Sequence, residues 1–341
     1  MSTEVPSPAR SPLRVRRVRG LLHGLAVGEV IAARPAPTGV LQHGVAAQLA
    51  CFTAAAGIRT ALRARPQQPV DPRADLLEAY RRWAQVRQGT QVPAARTAWL
   101  DEVTLLSRAA GDPRDTLRAL VAGGAGTPAD PVTTADGWHA LVRALPLAAH
   151  VERDARRAVT AAVDSAALTH GLRVFAPTAL AVLLAAAALR TGDPVEAIAS
   201  GLRDAVLLGV DFAAVAVVDD AVRASREAPT SGVVLRSGAP GGSAAAALWG
   251  ATYCVLSHPG DVDAALGLAG SAGHPDAVGA VTAAFLGAAH GADALPQSVL
   301  TRIDLAYVID RLARDLAVVD GLGAEEAAGV EVDWRRRYGL G

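Results

Sequence analysis

The sequence predicts an all-α protein, one compact multi-helix domain, on three observations. Half of its 341 residues are hydrophobic yet only 4% are aromatic. The core is therefore built from Ala, Leu and Val, and such small side chains favour closely packed helices over a sheet of bulky strands. Apolar residues recur three and four apart over long stretches, with no sustained alternation of period two. Short Gly, Asp and Pro breakers divide the chain into about a dozen helical stretches, and none resembles an interdomain linker. A chain of this length has room for one large domain or two small ones. No repeat with a period of roughly 20–50 residues suggests a solenoid.

Residues 1–12 are polar, with Pro and Ser and no apolar stretch, and read as a disordered leader rather than a signal peptide. The helical domain is expected over 13–322 and a C-terminal tail over 323–341, with 333–341 loose. Arg14, Arg16, Arg17 and Arg19 form the densest basic cluster, expected as a solvated helix start with at most a phosphate contact. Gly20, Gly24 and Gly28 then fall four apart on one helical face. This makes a smooth surface for another helix, at a cost of up to about 1 kcal/mol each relative to Ala. The run Ala176–Leu189 contains Pro177 and falls short of the roughly 20 residues that span a bilayer. It reads as a helix buried on all sides.

Two breakers, Gly111-Asp112-Pro113 and Gly192-Asp193-Pro194, follow one grammar: Gly ends a helix, Asp caps the next, and Pro sits in its first turn. Other stops fall at 34–37, 65–66, 89, 123–128, 238–242, 258–260 and 273–275. Asp211 reads as an N-cap. Ser231 to Leu235 is compatible with a lone strand, which makes no sheet by itself. Near the C-terminus, Val278, Val281, Phe285 and Ala288 form one helical stripe. Val299, Ile303, Ala306, Ile309, Leu312, Leu316 and Val319 form another.

Charge and cysteine usage exclude several classes. The net charge is zero, with 33 basic and 33 acidic residues. Every basic residue is Arg, as expected from GC-rich coding. No basic stripe with stacking aromatics is present, so nucleic-acid binding is not expected. Cys51 and Cys254 have neither metal spacing nor a disulfide pattern, and read as small buried hydrophobes in a reducing cytoplasm. With no leader signal and no membrane span, a cytoplasmic protein is expected.

Four stretches, in order, carry a family resemblance. Arg19-Gly20-Leu21-Leu22-His23-Gly24-Leu25-Ala26-Val27-Gly28-Glu29 is followed by Ala166-Ala167-Leu168-Thr169-His170-Gly171. Ala246-Ala247-Leu248-Trp249 comes next. The last is Ala272-Gly273-His274-Pro275-Asp276-Ala277-Val278-Gly279-Ala280, continued by Phe285-Leu286-Gly287-Ala288-Ala289-His290-Gly291 and Leu295-Pro296. Together they resemble the ADP-ribosylglycohydrolase family over roughly residues 14–320. The resemblance implies an orthogonal multi-helix domain and a cleft holding two Mg²⁺ or Mn²⁺ ions, which position ribose hydroxyls and an attacking water.

The residues that would hold those ions are mostly missing. The family's early D-D-T triplet aligns with Val45, Ala46 and Ala47, next to Gln48. In its late D-T-D-T stretch the Asp positions become His274 and Asp276, and the Thr positions become Pro275 and Ala277. The opening G-D becomes Gly28-Glu29. Hard divalent cations need several oxygen ligands, so no cofactor is expected. A softer ion such as Zn²⁺ on His274, Asp276 and Glu29 is the alternative, though so small a cluster is more often a few solvated polar side chains.

The G-N-G-x-x-M-R motif resembles Gly137-Trp138-His139-Ala140-Leu141-Val142-Arg143, with bulky Trp138 expected to fill part of the cleft. Candidates for catalysis are therefore Glu29 and Asp276 alone, with Asp276 the single surviving metal-type ligand. Ligand-binding candidates are Gln48, Trp138, Arg143, His170 and His274. Against these stand plainer expectations. His170 would end a helix and cap its carbonyls, and His274 would be an ordinary loop residue beside a helix start. Asp219-Asp220 reads as a solvated face. Gly238–Ser243 lacks the Lys and spacing of phosphate-binding loops and reads as a flexible loop. No nucleophile elbow is visible.

The function expected is that of a family-like pseudoenzyme binding an ADP-ribose-like ligand or a protein partner, without contact to nucleic acid or membrane. The alternatives are an active hydrolase with a rearranged site and a purely structural or regulatory helical scaffold.

Overall fold

The computed structural model describes residues 11–32, 39–64, 70–88, 98–108, 110–123, 125–319 and 333–340. Helices run throughout: α1 (Pro12–Ile31), α2 (Val45–Arg63), α3 (Pro72–Arg87), α4 (Arg114–Val121), α5 (His139–Ala144), α6 (Ala155–Ala167), α7 (Phe175–Thr191), α8 (Pro194–Leu208), α9 (Phe212–Glu227), α10 (Gly232–Gly238), α11 (Ala244–Ser257), α12 (Val262–Ala269), α13 (Pro275–His290), α14 (Gln297–Leu300) and α15 (Ala306–Val319). Among the described residues there is no strand, only the isolated bridges Leu41–Ile303 and Gly137–Ser243.

Local chemistry sets many of the helix starts. Asp71, Asp154, Asp193, Asp211, Ser231, Ser243 and Asp261 each accept a first-turn backbone N–H at the starts of α3, α6, α8, α9, α10, α11 and α12. Each such cap is worth about 1 kcal/mol. Gly192-Asp193-Pro194 follows the expected grammar, with Gly192 left-handed at φ 71° and Pro194 in the first turn. Gly111-Asp112-Pro113 does not. Pro113 precedes α4 with no side-chain cap, and Asp112 turns to Arg114 at 2.5 Å.

The centre of the fold is the antiparallel pair α1 and α13. A Cβ on Gly20, Gly24 or Gly28 would lie 1.9, 2.1 and 2.0 Å from the carbonyl oxygens of Gly287, Ala283 and Gly279. The two backbones therefore touch along a seam with no side chain between them. The seam is reciprocal, because a Cβ on Gly287 would lie 2.1 Å from the Gly20 carbonyl oxygen. Alongside runs α7, buried along nearly its whole length as its unbroken apolar run predicts. Residues 45–63 and 172–191 are long and apolar enough to cross a membrane by length and composition, and both are mostly buried in the core.

Four expectations need correction. Ser231–Leu235 is not a strand: Ser231 caps α10. The stripe from Val299 to Val319 is not one helix. It breaks into α14 and α15, because Leu41 pairs with the chain at 302–304 through Leu41 N–H to the Arg302 carbonyl and Asp304 N–H to the Leu41 carbonyl. The basic cluster is not simply solvated. Arg17 donates to the Leu189 and Arg190 carbonyls at the end of α7, Arg14 to those of Ala149 and Ala317, and Arg19 to Asp310. Arg14 and Arg17 are thus cations placed where helices end and carbonyls are free. Within the expected tail, residues 333–340 are docked: Trp334 and Tyr338 are buried, and the Tyr338 hydroxyl donates to Asp315. The leader up to residue 10 and the stops at 34–37, 65–66 and 89 lie outside the described residues.

Candidate functional site

The candidate site lies where the seam ends. Because α1 and α13 run antiparallel, the last turn of α1, bearing Glu29, adjoins the first turn of α13, bearing Asp276. The start of α2 lies beside them. Val45, Ala46 and Ala47 are buried there. The Glu29 carboxylate accepts the backbone N–H groups of Ala46 and Ala47, one on each oxygen, at 2.9 and 3.0 Å. A carboxylate at this point satisfies two orphan donors and faces the positive end of the helix. Gly44 makes room, since a Cβ there would lie 2.0 Å from the carboxyl group. Burial pushes the Glu29 carboxyl up to about 7, against the two N–H bonds that lower it, and the nearby charge of Asp276 raises it further.

This donor set does not fit two hard divalent cations. Positions 45–47 offer hydrocarbon, and both Glu29 oxygens are engaged. Asp276 Oδ1 accepts from its neighbour Ala277 N–H at 2.9 Å and meets His274 Nδ1 at 3.1 Å. Magnesium and manganese need close to octahedral oxygen coordination, which these groups cannot supply. The zinc alternative fares no better. No group of three or more His, Cys, Asp or Glu side chains is arranged to hold a metal among the described residues.

The nearby cleft has different chemistry. It encloses about 430 Å³ and is lined by Asp112, Arg114, Thr116, Arg118, Gly137, His139 and His170, among others. The Gly137–Ser243 bridge joins the approach to α5 to the Gly-rich loop before α11. That loop is not free, because Trp138 N–H donates to the Gly242 carbonyl and Ala244 N–H to that of Asp136. Gly242 lies under the His274 ring, which a Cβ there would meet at 3.0 Å.

Each expected site residue has a definite place. Trp138 is buried and backs the cleft, stacking on His139 with ring centroids 4.2 Å apart. His170 does not cap helix carbonyls with its side chain. Its Nδ1 meets Thr169 Oγ1 at 2.8 Å, and its Nε2 edge faces Gly137 at the cleft. Arg143 is fully buried behind it, donating to Thr169 Oγ1 and the Ser165 carbonyl over the face of Tyr80. His274 and Asp276 are partly exposed and pair with each other at 3.1 Å. Gln48 is apart from the cleft. Its amide nitrogen donates to the carbonyls of Leu106 and Arg108 and to His43, and its oxygen accepts from Trp83 and Arg87. Asp220 is no plain solvated acid either, because it accepts from the Trp249 indole at 2.8 Å.

Two groups escaped sequence reading. His139 has no side-chain hydrogen bond among the described residues. Burial lowers its pKa to about 4, against the nearby charge of Asp276, which raises it. Thr116 holds a buried hydroxyl with no partner among the described residues. The signal for His139 was present, since it stands at a family glycine position beside the anomalous Trp138. Thr116 carries no local signal, being one of many Thr residues in polar surroundings.

Comparison with known proteins agrees with this fold. A family model described as ADP-ribosylglycohydrolase matches residues 10–325. A solved structure titled "ADP-ribosylglycohydrolase-related protein complex" is similar in fold, with a TM-score of 0.60 at 21% identity, covering 90% of this chain and 99% of that one. No curated protein matches the sequence.

Proposed function

Since the chain belongs to the ADP-ribosylglycohydrolase family, we propose that it is a member without the dinuclear metal centre, which binds an ADP-ribose-like ligand in its cleft and does not hydrolyse it. One observation carries this reading: the Glu29 carboxylate is spent on the N–H groups of Ala46 and Ala47, where the family would place metal-binding carboxylates. Removing the ions removes both the polarised water and the clamp on the ribose hydroxyls. What remains is an open cleft lined by His139 and His170, each with a ring nitrogen that has no partner among the described residues, a set suited to binding. The buried, unpaired thiols of Cys51 and Cys254 support a reducing, cytoplasmic setting.

The test pairs two measurements on pure full-length protein. Incubation with ADP-ribosylated arginine or serine peptides and Mg²⁺ is expected to release nothing, while calorimetry with ADP-ribose is expected to show binding. Metal-dependent turnover abolished by Asp276→Ala would establish a rearranged hydrolase instead. No heat at millimolar ADP-ribose would favour the scaffold.

A further inference from the structure

We propose that Arg143 and Thr169 lock His170 as the tautomer with its proton on Nε2. The cleft then presents a fixed hydrogen-bond donor at that point, and the ligand atom seated there is an acceptor oxygen of a phosphate, carboxylate or carbonyl group. The ligand class rests on the binding function proposed above; the tautomer does not.

The available protons fix the tautomer. A guanidinium has only donors. Arg143 Nη2 lies 2.8 Å from Thr169 Oγ1, so the hydroxyl oxygen accepts that bond. Thr169 is fully buried, and its hydroxyl has one proton to place. Among the described residues, His170 Nδ1 at 2.8 Å is the acceptor within reach. Nδ1 therefore carries a lone pair, and in a neutral ring the proton belongs to Nε2. The opposite tautomer would aim Nδ1–H at an oxygen already accepting from Arg143. It would also leave the threonine proton buried with nothing to bond.

Arg143 is not free to swing away. It also donates to the Ser165 carbonyl, and its guanidinium lies 4.3 Å over the ring of Tyr80. That ring is pinned in turn by hydroxyl bonds to Thr53 Oγ1 and Ser165 Oγ. The charged or titratable groups acting on His170 are Arg143 and His139, and burial with both of these holds the imidazole neutral, well below its ordinary pKa. His170 lines the cleft although only 1% of it is exposed, and its Nε2 lies 3.4 Å from where a Cβ on Gly137 would sit.

Long-range proton–nitrogen NMR on full-length protein carrying ¹⁵N-histidine reads the tautomer directly, with the His170 signal assigned by its loss in His170→Gln. The expected pattern is Nε2–H, unchanged from about pH 6 to about pH 8. Thr169→Val, equal in shape but without the hydroxyl, should abolish the preference. Protonation at Nδ1, an imidazolium at neutral pH, or a Thr169→Val spectrum like that of the parent would each overturn the lock. Calorimetry with ADP-ribose then tests the donor. His170→Gln, which retains a side-chain N–H, should bind within a few-fold of the parent, and His170→Leu about tenfold or more weaker. Equal binding by His170→Leu would refute the donor role. A parent protein that binds no ADP-ribose would refute the ligand assignment, and the NMR pattern alone would then decide the lock.

Discussion

Glu29 Oε1 lies 2.9 Å from the backbone nitrogen of Ala46, so the end of one helix supplies the cap for the start of the next. Replacing Glu29 with Ala strands two buried N–H groups at the start of α2. The expected loss is about 1–3 kcal/mol of folding stability. Denaturant unfolding measures it, and an unchanged midpoint would show that the cap contributes nothing.

The same carboxyl makes stability depend on pH. Folded, Glu29 keeps its proton up to about pH 7, whereas its ordinary pKa is 4.5. Between those values the unfolded chain binds fewer protons at this site, so its contribution is full below the lower value and declines as pH rises through the upper one. Relative to Glu29→Gln, which cannot ionise, the parent should lose on the order of 3 kcal/mol across the window and then level off. Parallel curves for the two proteins would contradict the shift.

His139 works in the opposite direction. Its folded pKa is about 4 against an ordinary 6.5. The stability it lends is complete above the ordinary value and is lost as pH falls toward the folded one. An NMR titration should find this ring neutral at about pH 6. An imidazolium signal at that pH would mean the ring is better solvated than its place against Trp138 implies.

The seam leaves no room for one added methyl group. Gly24→Ala would put a Cβ 2.1 Å from a backbone oxygen, where no flexible side chain can yield. The expected cost is about 1–3 kcal/mol or more, seen as a lower melting temperature. A neutral outcome would mean that α1 and α13 can separate freely.

Asp304 accepts from both the backbone N–H and Nδ1 of His43, at 3.0 and 2.7 Å. Since both side chains are buried, Asp304→Ala should destabilise by about 3 kcal/mol and loosen the chain ahead of α2. Hydrogen exchange at residues 41–45 would report the loosening, and unaltered protection there would count against it.

Much of the fold was legible because helix signals are local. The Asp193 cap, the unbroken apolar run of α7 and the Gly20-Gly24-Gly28 spacing each act within a few residues. The break between α14 and α15 was not legible, because it is set by Leu41, far away in sequence. The arginines near the N-terminus looked solvated for the same reason: the carbonyls that Arg14 and Arg17 reach belong to distant helix ends. At the site, the hydrocarbon side chains at 45–47, where the family resemblance implies acidic residues, could be read directly. That Glu29 fills the resulting need, and that Gln48 is committed to His43, Trp83 and two carbonyls, required the tertiary arrangement. A polar residue in a sequence does not reveal whether its bonds are already made.

Direct contact between the backbones of α1 and α13 also decides which part of the site stays fixed. Sliding one helix past the other by a residue would drive Leu21 or Leu25 into the partner's main chain, so the pair behaves as a single rigid beam. Glu29 and Asp276 ride on that beam at a fixed separation. The residues that line the cleft lie outside this pair, among them Arg114, Asp115 and Arg118, which stand exposed on the short helix α4. Reshaping the cleft therefore need not disturb the pair at all.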